Sequence, residues 1–232
     1  MSAQLLPGAI PYPGKIKMGS NIPFDSAALP HVSLAPPLAI PKPDQHYCLD
    51  PRNFTDEEDS KQSISALRPF AKPSTAGCWP YFTVECKSEA RGGTFWVAEN
   101  QNAGGGALCV NSMQELLSIA QASPTEVDSI SFSCNISARN AEIWIHYCRN
   151  QRFFSAELEH FHMGRSRDVI YFRNSIKNIV EFGFKDRLPQ IQALLAKVSL
   201  PDLEFADQNR RIRKAIVHDF VQSKALTQEK PC

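Results

Sequence analysis

The stretch Pro80 to Lys87, PYFTVECK, decides the fold. Aromatic and β-branched residues run through it without a polar break until Glu85-Cys86-Lys87, the composition of a strand covered on both faces and therefore central in its sheet. Downstream, Ser129 to Ser137 (SISFSCNIS), Ala141 to Cys148 (AEIWIHYC) and Phe153 to Phe161 (FFSAELEHF) alternate with period two between short polar turns. That spacing predicts an antiparallel meander. Upstream, PDQHY around Asp44 reads as a short strand, and Thr55 to Leu67 opens with a Thr cap and acids in its first turn, which predicts a helix. A loop over Pro69 to Pro80 joins that helix to the aromatic strand.

After a turn at Gly92-Gly93, residues Thr94 to Ala120 have helical composition interrupted by Gly104-Gly105-Gly106. Three consecutive glycines predict two helices or one broken helix. The C-terminal third predicts helices over Phe172 to Phe184, over Arg187 to Val198 beyond a break at Gly183, and over about Leu203 to Ser223. Residues 1 to 43 hold nine of the 17 prolines and show no periodicity, so they read as a Pro-rich extended arm. The expected organisation is an arm over 1–43, one domain over 44–200 and a C-terminal helix and tail over 201–232. Its class is α/β (mixed α+β), with a central mixed sheet flanked by helices.

Composition narrows the function classes. The chain has 232 residues, 25 Lys plus Arg against 24 Asp plus Glu, and a formal net charge of +1. A chain of this size buries enough surface to fold without disulfides or a structural metal. The near-neutral balance means that a nucleic-acid partner must be held by a local groove and not by an overall basic field. Seven cysteines without a CxxC pair read as buried, reduced thiols of an intracellular protein, cytoplasmic or nuclear. No signal-peptide pattern opens the sequence and no apolar run of about 20 residues occurs, so secretion and membrane association are not expected.

The chemistry is carried by Pro43-Asp44 and, 41 residues later, Glu85-Cys86-Lys87. Two acid-x-Lys triplets occur in the chain, but the other, Asp59-Ser60-Lys61, falls in a polar helical segment where its charges are solvated. On a strand, residues i and i+2 point to one face, so Glu85 and Lys87 project together from the strand end. Two carboxylates on neighbouring strands suit a hard cation such as Mg²⁺, with Mn²⁺ as its substitute, whose remaining positions take water and a substrate phosphate. A lysine beside them orients the water and stabilises developing charge.

Pro-Asp on one strand, Glu-x-Lys at the end of a hydrophobic strand and then a helix resembles the PD-(D/E)XK nuclease superfamily. PKPD..Y, PYFTVECKSEARGGTFWVAENQNAGGGA and NIVEFGFKDRL are, in that order, similar to a nuclease-like domain of fungal proteins, over roughly residues 38 to 200. The resemblance implies a restriction-endonuclease-like core and metal-dependent phosphodiester hydrolysis on DNA or RNA. It implies Asp44 and Glu85 as metal ligands, assisted by the backbone carbonyl of Cys86. Lys87 would be the catalytic lysine and Gln101 the supporting glutamine, with Glu99 and Asn100 beside it. Many superfamily members also present an acid from a helix before the Pro-Asp strand, whereas residues 1 to 43 contain only Asp25. The alternative is therefore a nuclease-derived protein that no longer cuts and serves as a binding or accessory factor for a protein or small molecule, in fungal specialised metabolism, or a pocket adapted to small-molecule chemistry.

The remaining motifs have blander readings. Gly104 to Gly106 lacks the Lys-Ser/Thr of a phosphate-binding P-loop and instead suits close helix-to-sheet packing. His160 and His162 share a strand face without a partner at zinc-ligand spacing. Cys86 points away from the face of Glu85 as a core thiol. The cluster Asn209 to Lys214 reads as a solvated helical face, and Trp79, Trp96 and Trp144 as core aromatics.

Overall fold

A computed structural model describes residues 12, 14–30, 38–88, 93–123, 125–199 and 201–209. Six strands form one mixed sheet in sequence order: β1 (Ile16–Ser20), β2 (Gln45–Leu49), β3 (Cys78–Cys86), β4 (Ser131–Ile136), β5 (Asn140–Arg149) and β6 (Arg152–His162). Every neighbouring pair is antiparallel except β3 and β4, which run parallel. A parallel pair requires a crossover, and here it is the long helix α3 (Phe95–Ile119). The described residues also form the helices α1 (Asp56–Ser63), α2 (Arg68–Ala71), α4 (Ser166–Phe182) and α5 (Leu188–Lys197). The class is mixed α/β, a central sheet flanked by helices.

The aromatic strand is central, as its composition predicts: from Cys78 to Glu85 every residue of β3 is buried. One sheet face is apolar. Phe82 pairs across β4 with Phe132, which meets Phe182 of α4 edge-on at 5.4 Å, and Phe161 of β6 meets Phe172 of α4 at 5.5 Å. Fully burying side chains of this kind contributes about 1.5–3 kcal/mol each. The opposite face, beneath α3, is lined by Thr83, Ser131, Ser133, Asn135 and His146, all buried and hydrogen-bonded.

Helix α3 is continuous through its three glycines, contrary to the expected break. The cost in helix propensity is offset by proximity. A Cβ on Gly106 would lie 2.3 Å from His146 Cγ, and one on Gly105 would lie 3.3 Å from Thr83 Cγ2. The glycines thus let the helix backbone lie directly on the polar face. Gly183 does not break the chain either. It opens a π-helical turn, Gly183–Arg187, that joins α4 to α5, and a Cβ there would lie 2.2 Å from Tyr81 Cζ. Within that turn the buried Arg187 donates to the carbonyls of Asp128 (2.6 Å) and Ile130 (2.5 Å) just before β4.

Four other boundaries differ from the sequence reading. The segment read as an extended arm contributes the edge strand β1 and a 3-10 turn at Ser26–Ala28. The expected loop over 69–80 contains most of α2, with Pro69 in its first turn, and β3 already starts at Cys78. Helix α4 begins six residues before Phe172. Trp79 is buried and donates to Gln62 Oε1 at 2.6 Å, but Trp96 is 71% exposed and not a core residue. Residues 201–209 are helical, and the basic residues 210–214 lie outside the described residues. Among the described residues Cys48, Cys78, Cys86, Cys109, Cys134 and Cys148 are not joined in disulfides. No helix among them is long and apolar enough to cross a membrane.

Candidate active site

Register brings the two carboxylates together. In the β2–β3 ladder Gln45 stands opposite Val84 and His46 opposite Thr83, so one step further Asp44 stands opposite Glu85. The ladder is closed at that point by a side chain: Asp44 Oδ2 accepts the backbone N–H of Cys86 at 2.7 Å. Asp44 is itself braced from β1, because Ser20 Oγ donates to its carbonyl at 2.9 Å and Asn21 N–H to the same carbonyl at 3.2 Å. On the other side of β3 the parallel ladder extends past its last strand residue, with Lys87 N–H donating to Ile136 O at 2.8 Å. The Glu-x-Lys end is thereby anchored on both flanks.

The side chains then converge as the strand periodicity predicts. Lys87 Nζ lies 2.9 Å from Glu85 Oε2 and 2.5 Å from Gln101 Oε1 on α3. Asp44, Glu85, Lys87 and Gln101 therefore belong to one site. Burial is the largest influence on Glu85, which is 3% exposed, and pushes its carboxyl above the ordinary value. The hydrogen bond and charge of Lys87 work against that rise, while the negative charge of Asp44 adds to it. Glu99 lies one turn before Asn102 and is also raised, by burial first and then by Glu142 and Glu157. Asn100 turns back on its own helix, donating to Trp96 O at 2.7 Å.

Asp44 and Glu85 each use one oxygen in these contacts and keep the other without a hydrogen-bond partner among the described residues. Two such hard oxygen donors, side by side at a sheet end, suit Mg²⁺, which is commonly held by one or two carboxylates with water and phosphate completing its shell. A closed cage is absent: among the described residues no group of three or more His, Cys, Asp or Glu is arranged to hold a metal ion. The one acid of the N-terminal segment, Asp25, caps a 3-10 turn by accepting Ala27 N–H at 2.9 Å. His160 lies 3.6 Å from Glu142 and 3.9 Å from Glu157, and His162 Nδ1 accepts Gly164 N–H, so the two histidines are engaged separately. Cys86, on the strand face away from Glu85, is half-buried at the edge of the apolar core.

Behind the site runs a polar chain that sequence reasoning missed. Thr83 Oγ1 donates to Asn102 Oδ1 at 2.7 Å, Asn102 Nδ2 to Asn135 Oδ1 at 2.7 Å, and Asn135 Nδ2 to Glu142 Oε2 at 3.1 Å. Thr83 and Glu85 share a strand face, and Asn102 adjoins Gln101, so this chain fixes α3 against β3 at the depth of the site. Its signal in the sequence is the polar phase of β4, Ser131-x-Ser133-x-Asn135, which marks a strand face covered by something polar.

Over residues 14–195 the chain matches the family described as a domain of unknown function, DUF7924. It belongs to that family. No curated protein and no solved structure matches it. The DUF7924 region starts two residues before β1 and ends inside α5, so it takes in the whole sheet, the bracing residues Ser20 and Asn21, and all four residues of the site.

Proposed function

We propose that this DUF7924 protein is a metal-dependent phosphodiesterase acting on nucleic acid, built on a PD-(D/E)XK-like core. The observation that carries the reading is the convergence of Lys87 Nζ on Glu85 and Gln101 at the end of a central strand whose neighbour presents Asp44. Asp44 and Glu85 would hold Mg²⁺ or Mn²⁺ through their remaining oxygens, assisted by the backbone carbonyl of Cys86, the residue after Glu85. When bound, such an ion lowers the pKa of water and neutralises charge on a phosphate. Lys87 has three N–H donors, of which two meet Glu85 and Gln101. The third is left to orient a water or a phosphate oxygen, and Gln101 keeps the ammonium from swinging away.

A second reading is favoured by one observation: Asp25 is spent on a turn cap, and among the described residues no third acid is arranged with Asp44 and Glu85 to hold a metal ion. On that reading the protein is a nuclease-fold binding or accessory factor. Cleavage of labelled single-stranded DNA, duplex DNA and RNA with Mg²⁺, Mn²⁺ or EDTA separates the two, comparing wild type with Asp44→Asn and Lys87→Ala. Metal-dependent cutting that falls at least 100-fold in both variants is the expected result, in the range set by single preorganised groups (~10²–10³). Equal cutting by all three proteins, or none by folded wild type, overturns the proposal.

A further inference from the structure

We infer that the outer edge of β6 and the flank of α4 form a docking groove for an extended basic peptide, which adds to the sheet as a further strand. Among the described residues β6 is an edge strand that pairs with β5 alone. A cleft of about 470 Å³ lies at that edge, a size typical of ligand-binding clefts. Glu159, His160 and Phe161 of β6 form one wall, and Asp168, Tyr171 and Ser175, spaced three and four apart on one face of α4, form the other. Asp168 meets His162, Phe172 meets Phe161 and Ser175 meets Glu159, so the helix runs antiparallel to the strand along the groove.

The main chain is oriented for strand addition. Met163 N–H donates to Arg139 O on the β5 side, so by strand alternation the N–H groups of His162 and His160 face outward. Asp168 Oδ2 accepts the first at 3.0 Å, and the second points along the open edge. A groove between a sheet edge and a helix takes an extended peptide by main-chain pairing, with alternate side chains read in pockets. The register shift opposite Ile143 and Trp144 leaves residues 159–162 as the regular edge, about 13 Å long, so the occupant is a short segment. The walls select its charge. Asp168 and Glu159 each spend one oxygen, on His162 N–H and Ser175 Oγ, and each keeps the other without a hydrogen-bond partner among the described residues. No Lys or Arg among the described residues lines the cleft. Tyr171 adds a ring that already attracts a cation, with Arg167 Cζ 5.2 Å from its centroid. The His160 ring lies 3.6 Å from Glu142 on the other sheet face, so His160 presents backbone to the groove. A second copy of this edge would bring the same acids, whereas a Lys or Arg side chain complements them.

The probe is a fluorescein-labelled heptapeptide alternating Val or Thr with Lys, titrated against the full chain by anisotropy beside the same peptide with Glu in place of Lys. The Lys peptide should bind saturably, at least about tenfold tighter than the Glu peptide, and more weakly as NaCl is raised. Glu159→Gln combined with Asp168→Asn keeps acceptors for Ser175 and His162 but removes both charges. It should weaken the Lys peptide about 2- to 30-fold, the range of two exposed ion pairs, with superimposable thermal melts. Main-chain pairing is read separately by hydrogen exchange, where saturating Lys peptide should slow the His160 amide at least about tenfold. Equal affinity for both peptides, binding indifferent to the double variant, a His160 amide unprotected at saturation, or no binding overturns the inference. A concentration-dependent dimer that protects the same amide without peptide would overturn it too, assigning the edge to a second copy. The groove contains none of Asp44, Glu85, Lys87 and Gln101, so Asp44→Asn should bind the peptide as wild type does whatever becomes of the catalytic proposal.

Discussion

The carboxylate of Asp44 replaces a carbonyl in the β2–β3 ladder: its Oδ2 takes the N–H of Cys86 at 2.7 Å, the residue between Glu85 and Lys87. One side chain thus holds the strand end in place and offers its second oxygen to the site. The two roles separate by substitution. Asp44→Asn retains an acceptor and should cost under about 1 kcal/mol, whereas Asp44→Ala strands a half-buried donor and should cost about 1–3 kcal/mol. Both should abolish metal-dependent activity. Urea midpoints beside cleavage rates check this, and equal stability of the two variants would show that the Cys86 contact carries no energy.

Glu85 is raised by burial and held down by Lys87, so removing the lysine should raise it further. In Lys87→Met the Glu85 carboxyl should titrate at higher pH than in wild type, followed by ¹³C chemical shifts of its side-chain carboxyl. A shift in the opposite direction, or none, would mean that the 2.9 Å pair contributes nothing to the charge state of the site. Glu85→Gln, which stands in for the uncharged carboxyl that burial favours, should leave neutral-pH stability unchanged or increase it while abolishing activity.

Much of this site was legible because it depends on periods. The i, i+2 spacing of Glu85 and Lys87 put them on one face, and the alternation in Ser129 to Ser137, Ala141 to Cys148 and Phe153 to Phe161 marked β4, β5 and β6. What escaped depends on tertiary contact. Ile16–Ser20 is only five residues long and half exposed, so it carries too little pattern to stand out from a Pro-rich segment. The parallel pairing of β3 with β4 follows from the crossover and not from either strand's composition. Trp96 looks like core by residue type and is not, because burial is decided by which face of α3 meets the sheet.

The glycine run shows tertiary packing overriding propensity, and it predicts opposite outcomes at neighbouring positions. At Gly104 the nearest atom to a new Cβ is 3.7 Å away, ordinary van der Waals contact. Gly104→Ala should therefore stabilise the protein by about 0.5–1 kcal/mol through helix propensity and lost unfolded-state freedom. At Gly106 the new Cβ would lie 2.3 Å from His146 Cγ, inside a buried ring held at both nitrogens by Ser133 and Ser155 at 2.8 Å. Gly106→Ala should destabilise by about 1–3 kcal/mol or more. Thermal or urea unfolding of the pair decides it, and two changes of the same sign would contradict the close approach of α3.

The buried histidines set the response to acid. His46 and His146 are pushed down from 6.5 to about 4 by burial, so both stay neutral in the folded protein while their unfolded counterparts protonate. A depressed folded value means that the unfolded chain binds more protons between the two values. Stability from this source is present above pH 6.5 and is lost as pH falls toward 4. Each group contributes a limiting slope of about 1.4 kcal/mol per pH unit, giving nearly 3 for the two together near pH 5. Glu85 acts with the opposite sign, since its raised folded value lets stability recover as pH falls through that value toward 4.5. The histidines should prevail because there are two of them, so urea midpoints should fall steadily from pH 7 to pH 5. His146→Asn should reduce the slope toward that of one group. An unchanged slope would show that His146 is not held neutral beneath α3.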